Sequence, residues 1–336
     1  ISGIRRESDV ALDRMHRIEV SREARQEAIA SGAELYTSEL GGPESVRQLH
    51  ARITDLESAF TQLSGAPEQS ARQSAVLMAA ESLSRELNTA SRALGETRTV
   101  IEQRIDASIA ELNNTVSKIA DLNAKITSVE PGTQQHATLT DEISLLLDGL
   151  ADLADTRVLF DNAGRAAVYT AGGTPIVEGD SSRSFSFERA TGTLLADDID
   201  VTPGRVDSRG FSEGNIAGNV ALFNDTLPRM QMQLDELARG LIVGFEASDA
   251  SLTPGSPGLF TDAGGGAFDP LALDGLAGRI AVNDAVRPAA GGDLWRIRDG
   301  VGAALEGPPS DSGQVIEFVR MFENAQSFDG MAGLGA

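Results

Sequence analysis

LSRELNTASRALGETRTVIEQRIDASIAELNNTVSKIADLNAKI, residues 83–126, lies inside a run (68–129) that has no proline and one interior glycine, Gly95. Leu83, Leu87, Ala90, Leu94, Thr97 and Ile101 step by four, three, four, three and four, the heptad seam of a coiled coil. The beat then moves to Ile105, Ile109, Leu112, Val116, Ile119 and Ile126, with Asn123 in a seam slot. The two successive steps of four at Ile105 and Ile109 form a stutter, which unwinds a left-handed supercoil toward straight side-by-side packing. A helix over the whole run would be about 90 Å long, more than a globular domain measures across. The expected molecule is therefore elongated, with other helices of the chain laid along this spine. Asn123 either fixes register or is a polar residue near a helix end.

Outward from the spine the periodicity continues. Residues 4–39 carry Ile4, Ala11, Met15, Ile18, Ala24, Ile29 and Ala33 among many charges, an amphipathic helix with stop signals at Gly32 and Gly41-Gly42-Pro43. Val46, Leu49, Ile53, Leu56, Phe60 and Leu63 share one face of a second helix, and Ser64-Gly65-Ala66-Pro67-Glu68 breaks the chain before the spine. Past Pro131-Gly132, the leucine-rich segment 137–155 is a further helix. Then the period changes. Arg157-Val158-Leu159-Phe160, a turn at Asp161-Asn162-Ala163-Gly164, and residues 166–170 read as a hairpin. Ile176-Val177, residues 185–188 and residues 193–195 continue as short strands. Helix returns over 215–247, where Val220, Phe223, Leu227, Met230, Leu234, Leu237, Leu241 and Phe245 line one face. Pro228 inside that pattern should kink the helix or mark a boundary. Residues 248–293 are rich in Gly, Ala, Pro and Asp, loosest at Gly264-Gly265-Gly266, with one short strand expected over 278–282. Residues 314–328 regain helical spacing, and 330–336 read as a chain cut before its next helix.

Composition narrows the function. Fifty acidic residues against 28 basic give a formal charge of −22, which repels nucleic acid and anionic membranes. The chain has no cysteine, which excludes disulfides and thiolate metal sites and fits either cytoplasm or export in an unfolded state. No apolar run reaches membrane-spanning length, and the start, Ile1-Ser2-Gly3-Ile4-Arg5-Arg6, is neither a secretory signal nor an initiator methionine, as expected of an excised or mature fragment.

The residue types that carry chemistry are scattered. His16, His50 and His136 each fall in or at the start of an expected helix without a second ligand at metal spacing. Asp197-Asp198-Ile199-Asp200 could hold a hard cation but lacks the Gly and Glu spacing of a calcium loop, and a solvated turn is the better reading. Gly264-Gly265-Gly266 is not followed by Lys-Ser or Lys-Thr, so a flexible connector is favoured over a phosphate loop. No Gly-x-Ser-x-Gly elbow occurs. No catalytic, cofactor-binding or metal-binding residue is nominated, and no enzyme is expected.

Several segments, taken in order, resemble one family. Residues 67–77, Pro67-Glu68-Gln69-Ser70-Ala71-Arg72-Gln73-Ser74-Ala75-Val76-Leu77, are similar to the start of the long helix of the flagellar hook-associated protein 1 family, and Ala120-Asp121-Leu122-Asn123-Ala124-Lys125-Ile126 to its end. Thr156-Arg157-Val158, with Tyr169, Gly172, Gly173 and Gly179, resembles the family's outer β-domain at its beginning. Asn219-Val220-Ala221-Leu222-Phe223 and Gln233-Leu234-Asp235-Glu236-Leu237-Ala238 resemble its returning helix. One departure is Asp141-Glu142-Ile143-Ser144, where the family has an Asp-Gln-Arg-Asp cluster.

The resemblance implies a mainly α, flagellin- or hook-associated-protein-like bundle of long helices with an inserted small antiparallel β-domain. It divides the chain into a helical rod domain over 1–155, an outer β-domain over 156–210, a returning helix over 211–250, and a Gly/Pro-rich connector with a C-terminal helical segment over 251–336. It further implies an extracellular junction protein of the bacterial flagellum, exported without a cleaved signal and here without its terminal polymerisation helices. Its expected partners are copies of itself, hook protein, a second junction protein and an export chaperone. The alternatives are a flagellin-like or second junction protein, and a cytoplasmic coiled-coil scaffold. The scaffold predicts a parallel dimer zipped through the seam, whereas a spine covered by residues 231–245 of the same chain predicts the opposite.

Overall fold

The computed structural model describes residues 10–40, 43–206, 208–263 and 268–323. Ile4, Gly41-Gly42, Gly264-Gly265-Gly266 and residues 324–336, all read above, lie outside them. Helices α1 (Val10–Glu39), α2 (Pro43–Ser64), α3 (Ser70–Ile126) and α4 (Gln134–Leu153) are followed by seven short strands. A broken helix follows, consisting of α5 (Asn215–Ala221), a π-turn (Leu222–Thr226) and α6 (Leu227–Ser248). Helices α7 (Arg296–Asp299) and α8 (Gly313–Glu323) close the described chain.

The spine is one helix of 57 residues. It starts where the sequence breaks: the Ala66 N–H donates to Leu63 O, and the buried Gln73 side chain reaches back to Pro67 O at 2.8 Å. Every seam residue from Leu83 to Ile126 is buried, Thr97 and Asn123 included. Contacts group the chain into two units, Ile1–Leu35 with Arg98–Thr226, and Tyr36–Thr97 with Leu227–Ala336.

In the first unit, β1 (Thr156–Phe160), β2 (Ala166–Thr170), β3 (Pro175–Glu178) and β4 (Ser181–Ser182) form an antiparallel sheet in that order. The expected hairpin turn is closed by the Asp161 carboxylate, which accepts from the N–H groups of Ala163 and Arg165 at 2.9 Å. Alternation along β2 buries Ala166, Val168 and Thr170. A second sheet contains β5 (Phe185–Glu188), β6 (Thr193–Ala196) and β7 (Ile199–Asp200). Helix α1 is tied to α4 by Ser21 Oγ donating to Ala151 O at 2.6 Å and by Arg17 on Asp148 at 2.8 Å. It runs straight through Gly32, which acts as a contact and not as a stop. A Cβ there would lie 2.4 Å from Leu222 Cδ1, so the residue without a side chain is the one that lets Leu222 in.

Pro228 has the consequence expected of it. Its missing N–H and its ring conflict with the carbonyl one turn back, and the π-turn Leu222–Thr226 immediately before it widens the helix there.

The second unit is built on aromatic packing. Phe245 of α6 lies 5.5 Å from Phe60 of α2, 5.3 Å from Phe260, 5.4 Å from Phe318 and 5.8 Å from Phe322 of α8. Leu83 and Leu87 of α3 belong to the same core as Leu241, Ile242 and Phe245. Residues 249–263 and 268–312 are pinned by side chains that bond to backbone. Asp235 accepts from Gly275 and Ala277 N–H at 2.9 and 2.8 Å, and Asp249 accepts from Val301 N–H at 2.7 Å. The strand expected over 278–282 is shorter than read: Leu276–Gly278 is a 3-10 turn, and only β9 (Ala281–Val282) pairs, with β8 (Phe260–Thr261). The cause is local, because the N–H groups of Arg279 and Ile280 both donate back to Leu276 O.

Candidate assembly surface

The titratable residues singled out in the sequence are not brought together. His16 and His50 are exposed on α1 and α2, while His136 is half-buried with Nε2 3.1 Å from Ala163 O at the hairpin turn. Among the described residues no group of three or more His, Asp or Glu could hold a metal ion. In the acidic run, Asp197 takes a left-handed conformation (φ 54°) and accepts from Ser184 N–H and Arg183, and Asp200 accepts from Thr202 and Arg205. Burial pushes the Asp200 carboxyl up, but the bonds from Thr202 and Arg205 outweigh it and hold it below the usual carboxylate range. Asp197 is thus spent on the Arg183-Ser184 segment and Asp200 on its own turn.

What the spine does hold is β-structure. Asn123 Nδ2 donates to Ala166 O at 2.8 Å and Gly179 O at 2.7 Å, and its Oδ1 accepts from Ala166 N–H at 2.8 Å. One sheet is thereby anchored. Asn113 repeats the pattern on the other, accepting from Phe185 N–H at 2.7 Å and donating to Phe185 O at 2.9 Å. Asn123 does lie in the last turn of α3, as one of its two readings had it, but its partners are the first residue of β2 and Gly179 just past β3, not a second helix. Asn113 was missed. The signal available was an Asn-Asn pair, residues of poor helix propensity, in mid-helix.

Two concavities flank α4. A groove of about 640 Å³ runs between α1, α4 and β1, lined by Arg14, Arg17, Arg157, Leu159, Phe160 and Tyr169 among others. A smaller one of about 310 Å³ lies between α3 and α4, where Lys118 and Lys125, the chain's two lysines, flank Leu122 and the exposed Leu145. Neither presents converging nucleophile, base and oxyanion donors of the kind catalysis requires. No helix of the described residues is long and apolar enough to cross a membrane.

A spine buried by its own chain, carrying small sheets docked through side-chain amides, defines a protein of the long-helix fold class. Residues 40–251 match the family described as the flagellar hook-associated protein FlgK helical domain. The chain belongs to that family. It is 22% identical over 277 residues to the flagellar hook-associated protein 1 of Bacillus subtilis (strain 168), covering 73% of this chain and 54% of the relative. It also shares its fold, with a TM-score of 0.59 at 19% identity, with the flagellar hook junction protein FlgK from Burkholderia pseudomallei, over 75% of this chain and 46% of that one. The chain thus spans about half the length of each. The resemblance and the mainly helical fold class read from the sequence both stand.

Proposed function

We propose that the chain is the folded part of a junction subunit that links the flagellar hook to the filament by assembling into a short helical array. The observation that carries this reading is the burial of the seam: Leu83 to Ile126 is covered by elements of the same chain. A coiled-coil scaffold needs that stripe for a second copy, so its seam would already be taken. Assembly then falls to the outer surface, where heterologous contacts that do not close on themselves generate an open array. Copies of the chain, hook protein and a second junction protein are the partners this geometry serves, and an export chaperone would hold the full-length protein. The subunit works outside the cell, without a cleaved signal and without catalysis. The formal charge of −22 keeps unassembled copies apart by repulsion.

Electron microscopy of cells lacking the gene tests the reading. Hooks should persist while filaments detach, and the gene supplied in trans should restore attachment. Filaments that stay attached without it would remove the proposal.

A further inference from the structure

Strand β1 is the outermost strand of its sheet, paired with β2 on one side only. The Asp161 N–H donates to Arg165 O at 3.1 Å. Antiparallel alternation therefore turns the backbone groups of Arg157 and Leu159 toward β2, and those of Thr156, Val158 and Phe160 outward. Among the described residues no backbone or side-chain group bonds that outer edge. The contrast with β5 is direct, because the edge residue Phe185 is bonded through both its N–H and its C=O by Asn113. An uncapped edge is a template for another strand, and this one is apolar as well: Leu159 and Phe160 are 63% and 46% exposed.

The groove beside this edge has a sign. Arg17 is paired with Asp148, while Arg14 and Arg157, which line the groove with a single carboxylate, Asp13, have no ion-pair partner among the described residues. Two uncompensated guanidinium groups beside an open strand edge, on a chain of formal charge −22, select an acidic occupant. Resting on the junction-subunit reading above, we propose that the β1 edge takes up an extended acidic segment of a second copy of this chain, as an added strand. Pairing of β1 with itself would bring both Arg14 and Arg157 clusters together, so the contact is heterologous and propagates from copy to copy.

The absence of cysteine makes the test simple. Leu159→Cys carries a single thiol for a benzophenone maleimide, and illumination of the purified chain at increasing concentration should give a dimer-sized adduct. Peptide mapping should place the link in an acidic segment of the second copy. Val158→Pro removes an outward N–H and no bond to β2, and should lower the adduct about tenfold, as the loss of one well-made hydrogen bond predicts. Arg14→Glu with Arg157→Glu should do the same, and it decides alone if circular dichroism shows that Val158→Pro unfolds. No adduct at any concentration, or an adduct that both variants leave unchanged, overturns the inference. Filament attachment in cells keeps the two readings apart: attachment that requires the gene but ignores both variants sinks this inference and spares the junction reading.

Discussion

The aromatic core of the second unit and the seats of the first unit's sheets on α3 rest on forces of different character. Around Phe245, four phenylalanine rings sit within 5.8 Å, and the attraction depends on area removed from water far more than on angle. Against α3 in the first unit, Asn113 and Asn123 spend five hydrogen bonds on the backbone of Ala166, Gly179 and Phe185. Those bonds are directional, and a one-residue slip of a strand would break them and turn its buried face outward. Bulk burial supplies stability, and the amides choose the register.

That comparison is broken most severely at its apolar pole. Phe245→Ala should cost about 3–5 kcal/mol, read as a lower urea midpoint in the fluorescence of Trp295, the sole tryptophan, which lies in the second unit. An effect below 1 kcal/mol would mean the ring cluster contributes little. Asn123→Ala comes next, because it strips partners from buried backbone groups at about 1–3 kcal/mol for a group left unsatisfied. Hydrogen exchange at the Ala166 amide should accelerate, while an unchanged rate would show that water replaces the side chain. The half-buried Asn113→Ala should cost less than Asn123→Ala, and the reverse order would undo the comparison.

Acid should weaken the second unit. The Arg279 guanidinium holds the Asp262 carboxyl below its usual range; for Asp299, burial pushes upward, but Arg298 and the Gly307 N–H outweigh it. A folded-state value below the unfolded one gives stability that is present above about pH 4 and lost as the pH falls through the lowered value. Asp235, raised by burial despite its bonds from Ala277 and Gly275, works in the opposite sense and returns some stability on acidification. Asp262→Asn should reduce stability at neutral pH by about 1 kcal/mol after solvent screening and flatten the acid limb of a Trp295 titration. A limb of unchanged slope would assign the acid sensitivity elsewhere. The smallest expected effect is a gain. Gly95 lies within α3 with open space where a Cβ would go, so Gly95→Ala should stabilise by up to about 1 kcal/mol, measured as a higher Tm.

Much of the helical architecture was legible because it is periodic. The seam residues, the amphipathic face of α6 and the break at Pro67 repeat or interrupt a period that a single sequence displays. The hairpin was legible through its turn, Asp161-Asn162-Ala163-Gly164. What escaped has no period. Residues 249–312 look like a loose connector by composition, yet Asp235, Asp249 and Asp299 accept backbone N–H groups 8 to 52 residues away, and nothing in their spacing announces it. The candidate surface was half visible: Arg157, Leu159 and Phe160 were read as a strand. That their outer edge is open follows from strand order and from which edge an asparagine caps.

The carboxamide of Asn113 or Asn123 copies a peptide group, donor beside acceptor, so a helix here offers a sheet what a neighbouring strand would otherwise offer. Few residue types can do this: aspartate would set an acceptor against a carbonyl, and glutamine would overshoot by a methylene. Other ties of the second sheet, Phe187 against Phe223 and Asn224 on Gly192 O, add to its Asn113 socket from the π-turn side. With such a socket, a strand can begin against a helix without leaving its first peptide group unpaired.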